Sequence, residues 1–175
     1  FVSSGSITMS SDAVISGNSA GNNGGGFDIS YPGTFTMENG TISGNSADKN
    51  GGGVYVHNSG AFTMNSGSIS GNSATQNGGG VYAENIGTAF TVKGGTIGGS
   101  TAADANAAKY GGGVYVKNGT FTMSGGKVTG NSASKDGGGV RLDKGTFNMS
   151  GSAVISRNTA DGYGGGVDAN DGSFT

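Results

Sequence analysis

Short runs in which apolar and polar residues alternate recur through the whole chain. In residues 34–37 the apolar side chains of Phe35 and Met37 alternate with two threonines. Because side chains alternate between the two faces of a β-strand, this pattern predicts a short strand with an apolar buried face and a polar outer face. Equivalent runs lie at residues 6–9, 61–64, 89–92, 120–123, 146–149 and 173–175.

Two more short extended segments follow each of these runs. Residues 41–43 exemplify the second segment and residues 54–56 the third, and both are rich in β-branched residues. Neither has helical spacing, and neither is long enough to form a stable sheet alone. Copies of the second segment lie at residues 68–70, 96–98, 127–129 and 154–156, and copies of the third at residues 27–29, 81–83, 114–116, 140–142 and 167–169.

Glycine triplets set the period of these copies. They begin at residues 24, 51, 78, 111, 137 and 164, so successive copies are 27, 27, 33, 26 and 27 residues apart. Stacking each copy on the previous one pairs the strands in parallel and buries their apolar residues, with glycine at the sharp corners. The chain is therefore predicted to be all-β, a right-handed parallel β-helix (β-solenoid) of about six coils of roughly 27 residues with three short strands per coil.

The array is expected to form one unit over residues 1–175. Both ends fall within a coil, and an uncapped stack exposes strand edges that promote aggregation. We therefore expect the chain to be a fragment of a longer repeat protein.

An asparagine follows the second strand of most coils, and Ser100 stands in its place in the fourth. Side chains one coil apart lie about 4.8 Å from each other, so these amides can hydrogen-bond along the axis as a structural ladder. An exposed polar row is the alternative interpretation. The asparagines of this set are Asn18, Asn45, Asn72, Asn131 and Asn158.

The fourth coil also differs from the others in length. Residues 103–110 occupy a linker that has three residues in the other copies. Insertions in solenoids bulge from one corner and often form the binding site. A tolerated surface bulge fits its small and polar residues equally well.

Composition narrows the classes of function. Glycine accounts for 40 of 175 residues, which could signal disorder, but apolar residues return at a fixed phase in every copy. The formal net charge is −2 and the basic residues are dispersed, which argues against nucleic-acid binding. No apolar run approaches the roughly 18 residues of a membrane span, and no cofactor or metal is expected. Low charge with abundant serine, threonine, asparagine and glycine favours an extracellular or bacterial cell-surface location.

Two outward-facing rows are candidate binding surfaces. Threonines of the first strand form a Thr-x-Thr ladder similar to the flat faces of ice-binding proteins, although threonine is also a good β-former on any exposed strand. The third strand carries Tyr55, Tyr82 and Tyr115, either as an aromatic platform for sugars or a protein partner, or as cross-strand pairs that stabilise the sheet. The threonine ladder consists of Thr8, Thr34, Thr36, Thr63, Thr91, Thr120, Thr122 and Thr146.

An enzyme of this fold would need clustered acidic residues, because β-helical polysaccharide lyases and hydrolases gather carboxylates on one surface. Asp136 and Asp161 are expected at the same corner of adjacent coils and form the best candidate pair. His57 has no recognisable partner in the sequence. We therefore expect no catalytic residues and no enzymatic activity.

The repeat unit itself resembles a known family. Ile-Ser-Gly-Asn-Ser-Ala at residues 42–47, followed by Gly-Gly-Gly-Val at residues 51–54, resembles the polymorphic outer membrane protein repeats of bacterial surface proteins. Those repeats pair Phe-x-x-Asn with a Gly-Gly-Ala-Ile-like element, whereas Ile42 replaces the phenylalanine here and a third glycine is added. The resemblance implies a right-handed β-helix that serves as an adhesin or autotransporter-like passenger, and it transfers no functional residue because its motif residues are structural.

These observations predict a non-enzymatic surface adhesin or stalk whose partner is a protein or glycan of a host or neighbouring cell. Ice binding through the threonine ladder is the alternative hypothesis, and a polysaccharide-active enzyme is a third.

Overall fold

The chain forms about six stacked coils in which every strand pairs in parallel with its copy one coil away. This architecture is seen in a computed structural model that describes residues 1–175. The predicted parallel β-solenoid is confirmed. Each coil contains four strands rather than three, because the residues that follow the ladder asparagine form an additional strand of two residues, such as Ser46–Ala47.

The strands form four sheets, numbered here in the order in which a coil visits them. Sheet 1 contains β1 (Ser6–Met9), β5 (Thr34–Met37), β9 (Ala61–Met64), β13 (Ala89–Val92), β17 (Thr120–Met123), β21 (Thr146–Met149) and β25 (Ser173–Phe174). Sheet 2 contains β2 (Val14–Ser16), β6 (Thr41–Ser43), β10 (Ser68–Ser70), β14 (Thr96–Gly98), β18 (Lys127–Thr129) and β22 (Val154–Ser156). Sheet 3 contains β3 (Ser19–Ala20), β7 (Ser46–Ala47), β11 (Ser73–Ala74), β15 (Ala107–Ala108), β19 (Ser132–Ala133) and β23 (Thr159–Ala160). Sheet 4 contains β4 (Phe27–Ser30), β8 (Val54–His57), β12 (Val81–Glu84), β16 (Val114–Lys117), β20 (Val140–Asp143) and β24 (Val167–Asn170).

The only helical element is a single 3₁₀ turn over Ala102–Asp104. No helix in the structure has the length and apolar character needed to cross a membrane.

The core consists of identical or similar side chains stacked along the axis. Phenylalanines of sheet 1 stack ring on ring, with Phe62 and Phe90 at a centroid distance of 4.9 Å. Both rings are fully buried, and burying an aromatic ring of this size stabilises the fold by about 2–3 kcal/mol. The sheet 1 stack is Phe35, Phe62, Phe90, Phe121, Phe147 and Phe174, and Phe27 of sheet 4 stacks on Phe35 at its end.

Asparagine amides run along the corner between sheets 2 and 3. The amide of Asn45 donates to Oδ1 of Asn72 at 3.0 Å and to the carbonyl of Ile15 at 3.0 Å. Its Oδ1 accepts from both the backbone N–H and the side-chain amide of Asn18. Every polar group of this buried side chain therefore has a partner, as burial requires. The hydrogen-bonded series is Asn18, Asn45, Asn72, Asn106, Asn131 and Asn158.

The fourth coil contributes Asn106 to this series, not Ser100, so the assignment of Ser100 to this position is wrong. Gly98 pairs with Thr129, and Ala107 pairs with Ser73, so the extra residues lie between them. The insertion therefore comes before the asparagine, at residues 99–105 rather than at residues 103–110. We call residues 99–105 the insertion loop.

The glycine triplet lets the coils approach each other at the corner between sheets 3 and 4. A Cβ atom on Gly52 would lie 2.6 Å from the carbonyl oxygen of Gly79 and would overlap the carbonyl of Ser73. Only glycine allows this spacing, because real Cβ atoms do not approach other atoms so closely.

Candidate functional site

The outer side of sheet 1 presents two rows of small residues, which together we call the threonine face. Strand register places each residue directly above its copy, about 4.8 Å away. Thr8 to Thr122 give five threonines in an unbroken row, and Asn148 continues it. The first row is Ser6, Thr34, Ala61, Ala89, Thr120, Thr146 and Ser173, and the second is Thr8, Thr36, Thr63, Thr91, Thr122 and Asn148.

The threonine face is open to solvent and largely free of internal hydrogen bonds. Its residues are exposed or half-buried. One hydroxyl pair is internally bonded, with Thr34 Oγ1 donating to Ser6 Oγ at 2.8 Å. The hydroxyls of Thr36, Thr63 and Thr91 bond no other protein group, so they are available to water or to a ligand.

The tyrosine row of sheet 4 does not form an exposed platform, which corrects one of the two interpretations from the sequence. Tyr55, Tyr82 and Tyr115 are only 7%, 2% and 8% exposed. Their side chains point away from the core, but the glycine corner of each coil lies against them. A Cβ atom on Gly51 would lie 2.9 Å from the Cβ atom of Tyr55, so the corner packs against the base of this side chain, and Tyr110 packs against the row.

The buried tyrosine row is held by stacking and by acidic acceptors. The rings of Tyr55 and Tyr82 stack at 5.5 Å, and those of Tyr82 and Tyr115 meet edge to face at 5.2 Å. Tyr55 Oη donates to Glu84 at 2.8 Å and Tyr115 Oη to Asp143 at 3.3 Å. Burial, followed by the charge of Asp143, raises the pKa of Tyr115 to about 12.

Burial also raises the pKa values of Tyr55 and Tyr82, with nearby Glu84 acting in the same direction. The phenols therefore stay protonated and donate hydrogen bonds at neutral pH. This arrangement is that of cross-strand pairs that stabilise a sheet.

His57 has a partner that the sequence did not reveal. Its Nε2 lies 2.9 Å from Asp28 Oδ1, and its ring stacks on Tyr55 at 4.4 Å. These two residues belong to neighbouring coils, so only the register brings them together. The same face carries Arg141, which pairs with both Asp136 and Asp168.

Asp136 and Asp161 do not occupy equivalent positions, so the expected carboxylate pair is wrong. The residue stacked on Asp136 in the next coil is Tyr163, whose backbone N–H donates to Asp136 Oδ1 at 2.9 Å. Asp161 precedes that residue by two positions. No group of three or more histidine, aspartate or glutamate side chains is placed to hold a metal ion.

The insertion loop forms one wall of the largest cavity in the molecule. Thr101 caps the N-terminal end of its 3₁₀ turn, and Thr101 Oγ1 donates to Asp104 Oδ2 at 2.7 Å. This bond, together with one from the backbone N–H of Thr101, lowers the pKa of Asp104. The loop is anchored at both ends, because Gly99 donates to the carbonyl of Thr129 and Gly71 donates to that of Asp104.

The cavity is an open groove of about 710 Å³ over the outer side of sheet 2. We call it the sheet 2 groove. Hydroxyl side chains of several coils line its floor, and Val154 is its one hydrophobic lining residue. Its charged lining residues are Asp104, Lys127 and Arg157.

Residues 39–57 and 66–84 match the model of the Chlamydia polymorphic membrane protein repeat. The expected family resemblance is confirmed. Each matched segment contains one strand of sheets 2, 3 and 4, one ladder asparagine and one glycine triplet, so the match follows the structural unit of the solenoid. No curated protein and no solved structure matches the chain significantly.

The matched segments consist mostly of scaffold residues and include only two lining residues of the sheet 2 groove, Ser68 and Ser70. The strands of sheet 1 and the insertion loop lie outside both segments. The repeat family is one of surface-associated β-helices, and the threonine face and the sheet 2 groove are the features of this chain that a ligand could reach.

Proposed function

We propose that this chain is a non-enzymatic bacterial surface module that binds a protein or glycan of a host or neighbouring cell through its threonine face. The match to a membrane-protein repeat supports the surface location. The observation that carries the proposal is the unbroken row from Thr8 to Thr122, which is accessible and in register on one side of a rigid stack.

The backbone fixes this face before any ligand arrives. Its inner strands are hydrogen-bonded on both sides, and its short threonine side chains have few rotamers to lose on binding. Each residue offers a methyl group and a hydroxyl group, so the face can contact apolar surface and form hydrogen bonds at a regular interval. The threonine face therefore loses little conformational entropy when it binds a partner.

The dimensions of the face predict weak individual contacts. Seven strands at about 4.8 Å and four residues at about 3.3 Å give a surface of about 29 by 13 Å. That area is smaller than the roughly 800 Å² per partner of a typical stable interface. Attachment through this face thus relies on many copies acting together, as on a cell surface.

The test is attachment of beads coated with the purified chain to cultured epithelial cells. Thr63→Tyr/Thr91→Tyr places two large rings on the threonine face and is expected to abolish attachment. Ser16→Tyr/Ser43→Tyr places the same rings in register on sheet 2, away from the insertion loop, and is expected to leave attachment unchanged. Equal attachment by all three proteins would contradict the threonine face as the contact, and no attachment by any would leave a stalk role.

Ice binding is a second candidate, favoured by hydroxyls that bond no other protein group and lie in a regular two-row array. Methyl and hydroxyl groups at a fixed spacing can order water. Thermal hysteresis and ice-crystal shape test it with the same variants. Faceted crystals with the parent that are lost in Thr63→Tyr/Thr91→Tyr support ice binding, whereas round crystals with a folded parent exclude it.

A further inference from the structure

The sheet 2 groove contains two cations that interrupt the regular repeat. Lys127 lies on β18 at a position where β6, β10 and β14 carry Thr41, Ser68 and Thr96. Arg157 immediately follows β22. Neither side chain forms a salt bridge within the protein, although both line the same groove.

Arg157 also has a backbone conformation that arginine rarely adopts. Its φ is 56°, and the residues at the same position in four other coils are all glycines with φ between 61° and 67°, namely Gly17, Gly44, Gly71 and Gly130. The left-handed region favours glycine, and other residues in it are strained. A charged side chain at such a position, unpaired and beside a cavity, points to a function that offsets the strain.

The remaining lining defines what a ligand must offer. Ser68, Ser70 and Thr96 bond no other side chain, and they can donate to or accept from a ligand. Asp104 on the insertion loop adds an acceptor that Thr101 holds in place. No aromatic side chain lines the groove, so flat stacking surfaces for nucleobases or for the apolar faces of neutral sugars are absent.

We propose that the sheet 2 groove binds an acidic glycan, an extended chain rich in hydroxyls that carries carboxylate or sulfate groups. Lys127 and Arg157 contact two separate anionic groups, because they lie one coil apart and three residues apart along the strand direction. The hydroxyls of Ser68, Ser70 and Thr96, which lie one or two coils before Lys127, bond sugar hydroxyls farther along the same glycan. An open groove of about 710 Å³ is also far larger than a single inorganic anion requires.

Two cations are too few for a nucleic acid, whose binding depends on neutralising many phosphates.

The acidic-glycan proposal rests on the proposed surface role, since extracellular glycans are the ligands that such a module meets. It concerns a different face from the threonine face, so each can fail while the other stands.

Calorimetric titration of the purified chain with defined oligosaccharides tests the proposal. The probes are an oligogalacturonate, a chondroitin sulfate oligosaccharide, a neutral cello-oligosaccharide and an oligothymidylate. We expect binding of at least one acidic oligosaccharide that weakens with added salt, and no binding of the neutral one. Carboxylate and sulfate sources are separated by which of the two acidic probes binds more tightly.

Arg157→Gly combined with Lys127→Thr is the decisive variant, since both changes restore residues that other coils carry and should preserve the fold. It is expected to weaken acidic oligosaccharide binding by at least about tenfold, because two charge-assisted hydrogen bonds are lost. Lys144→Asn is the matched control: Lys144 has φ 56° on another corner, and Asn118 takes the equivalent position with φ 58°. This control should bind like the parent.

Three results would overturn the proposal. They are parent-like affinity in the double variant, an equal loss in Lys144→Asn, and tighter binding of the oligothymidylate than of either acidic oligosaccharide. Loss of cell attachment in Thr63→Tyr/Thr91→Tyr with unchanged oligosaccharide binding would show that the two surfaces act separately.

Discussion

The outer sides of sheet 1 and sheet 4 have the same backbone arrangement but differ in how much solvent reaches their side chains. Both consist of four-residue strands whose alternate side chains point away from the core. On sheet 1 these side chains are exposed or half-buried, whereas on sheet 4 Tyr82 is 2% exposed because its neighbouring rings pack on it and a glycine corner packs against its Cβ atom. A side chain that points outward from a strand is therefore exposed only where no neighbouring segment packs against it.

The largest loss of stability is expected when a tyrosine ring is removed from the outer side of sheet 4, which we call the covered side. Tyr82→Ala removes a buried aromatic side chain and should lower the free energy of unfolding by about 3 kcal/mol or more. Urea denaturation followed by circular dichroism measures it. A change below about 1 kcal/mol would show that the ring is not packed and that the two sides are alike.

A smaller effect is expected when the corner itself is changed. Gly78 has φ +63°, and a Cβ atom there would lie 2.8 Å from the Cβ atom of Tyr82. Gly78→Ala should therefore cost about 2 kcal/mol in the free energy of unfolding. Gly17→Ala is the matched control, because Gly17 has φ +67° and nothing lies within 4 Å of its added Cβ. Similar melting temperatures for both variants would mean that the corner does not press on the tyrosine row.

Alkaline pH should weaken the covered side selectively. Burial raises the pKa of Tyr115 from 10.0 to about 12 in the folded chain. Its contribution to stability is therefore fully present below pH 10 and is lost as the pH rises from 10 to about 12. Tyr115→Phe should show a shallower loss of stability across this window, measured by urea denaturation at several pH values. Parallel pH profiles for the two proteins would contradict the burial of this phenol.

The smallest effect is expected on the open side. Thr63→Ala removes a half-buried hydroxyl and methyl group that bond nothing, so the free energy of unfolding should change by less than about 0.5 kcal/mol. The comparison with Tyr82→Ala in the same denaturation series defines the contrast between the two sides. A loss above about 1.5 kcal/mol would indicate that the threonine row is structural and would weaken it as a binding face.

The sequence was informative wherever a local pattern decided the structure. Alternation placed Phe35 and Met37 in the core, and the glycine period gave the number of coils. The additional strand at Ser46–Ala47 was missed because two residues carry no readable period. Asn106 was missed because the insertion precedes it, so counting from Ile97 led to Ser100 instead.

Side-chain contacts between neighbouring coils were harder to predict than the strands of each coil. The pair of His57 with Asp28 joins residues 29 positions apart, and it exists only because of the register. Asp161 is the first residue after β23 and Asp136 is the third after β19, so two corners of equal length place these carboxylates two positions apart. The sheet 2 groove did leave a signal in the sequence, since Arg157 stands where other coils have glycine, but its meaning required the left-handed backbone and the insertion loop to be seen together.

Hydroxyl-radical footprinting of the tyrosines, read by mass spectrometry, tests the contrast between the two sides most directly and needs no ligand. Tyr31 and Tyr163 are 66% and 77% exposed and should be oxidised rapidly, whereas Tyr55, Tyr82 and Tyr115 should be protected until the chain unfolds. That result leaves the threonine face as the open outer row. Oxidation of Tyr82 as fast as Tyr163 would show that the tyrosine row is open, and the binding surface would have to be reassigned to sheet 4.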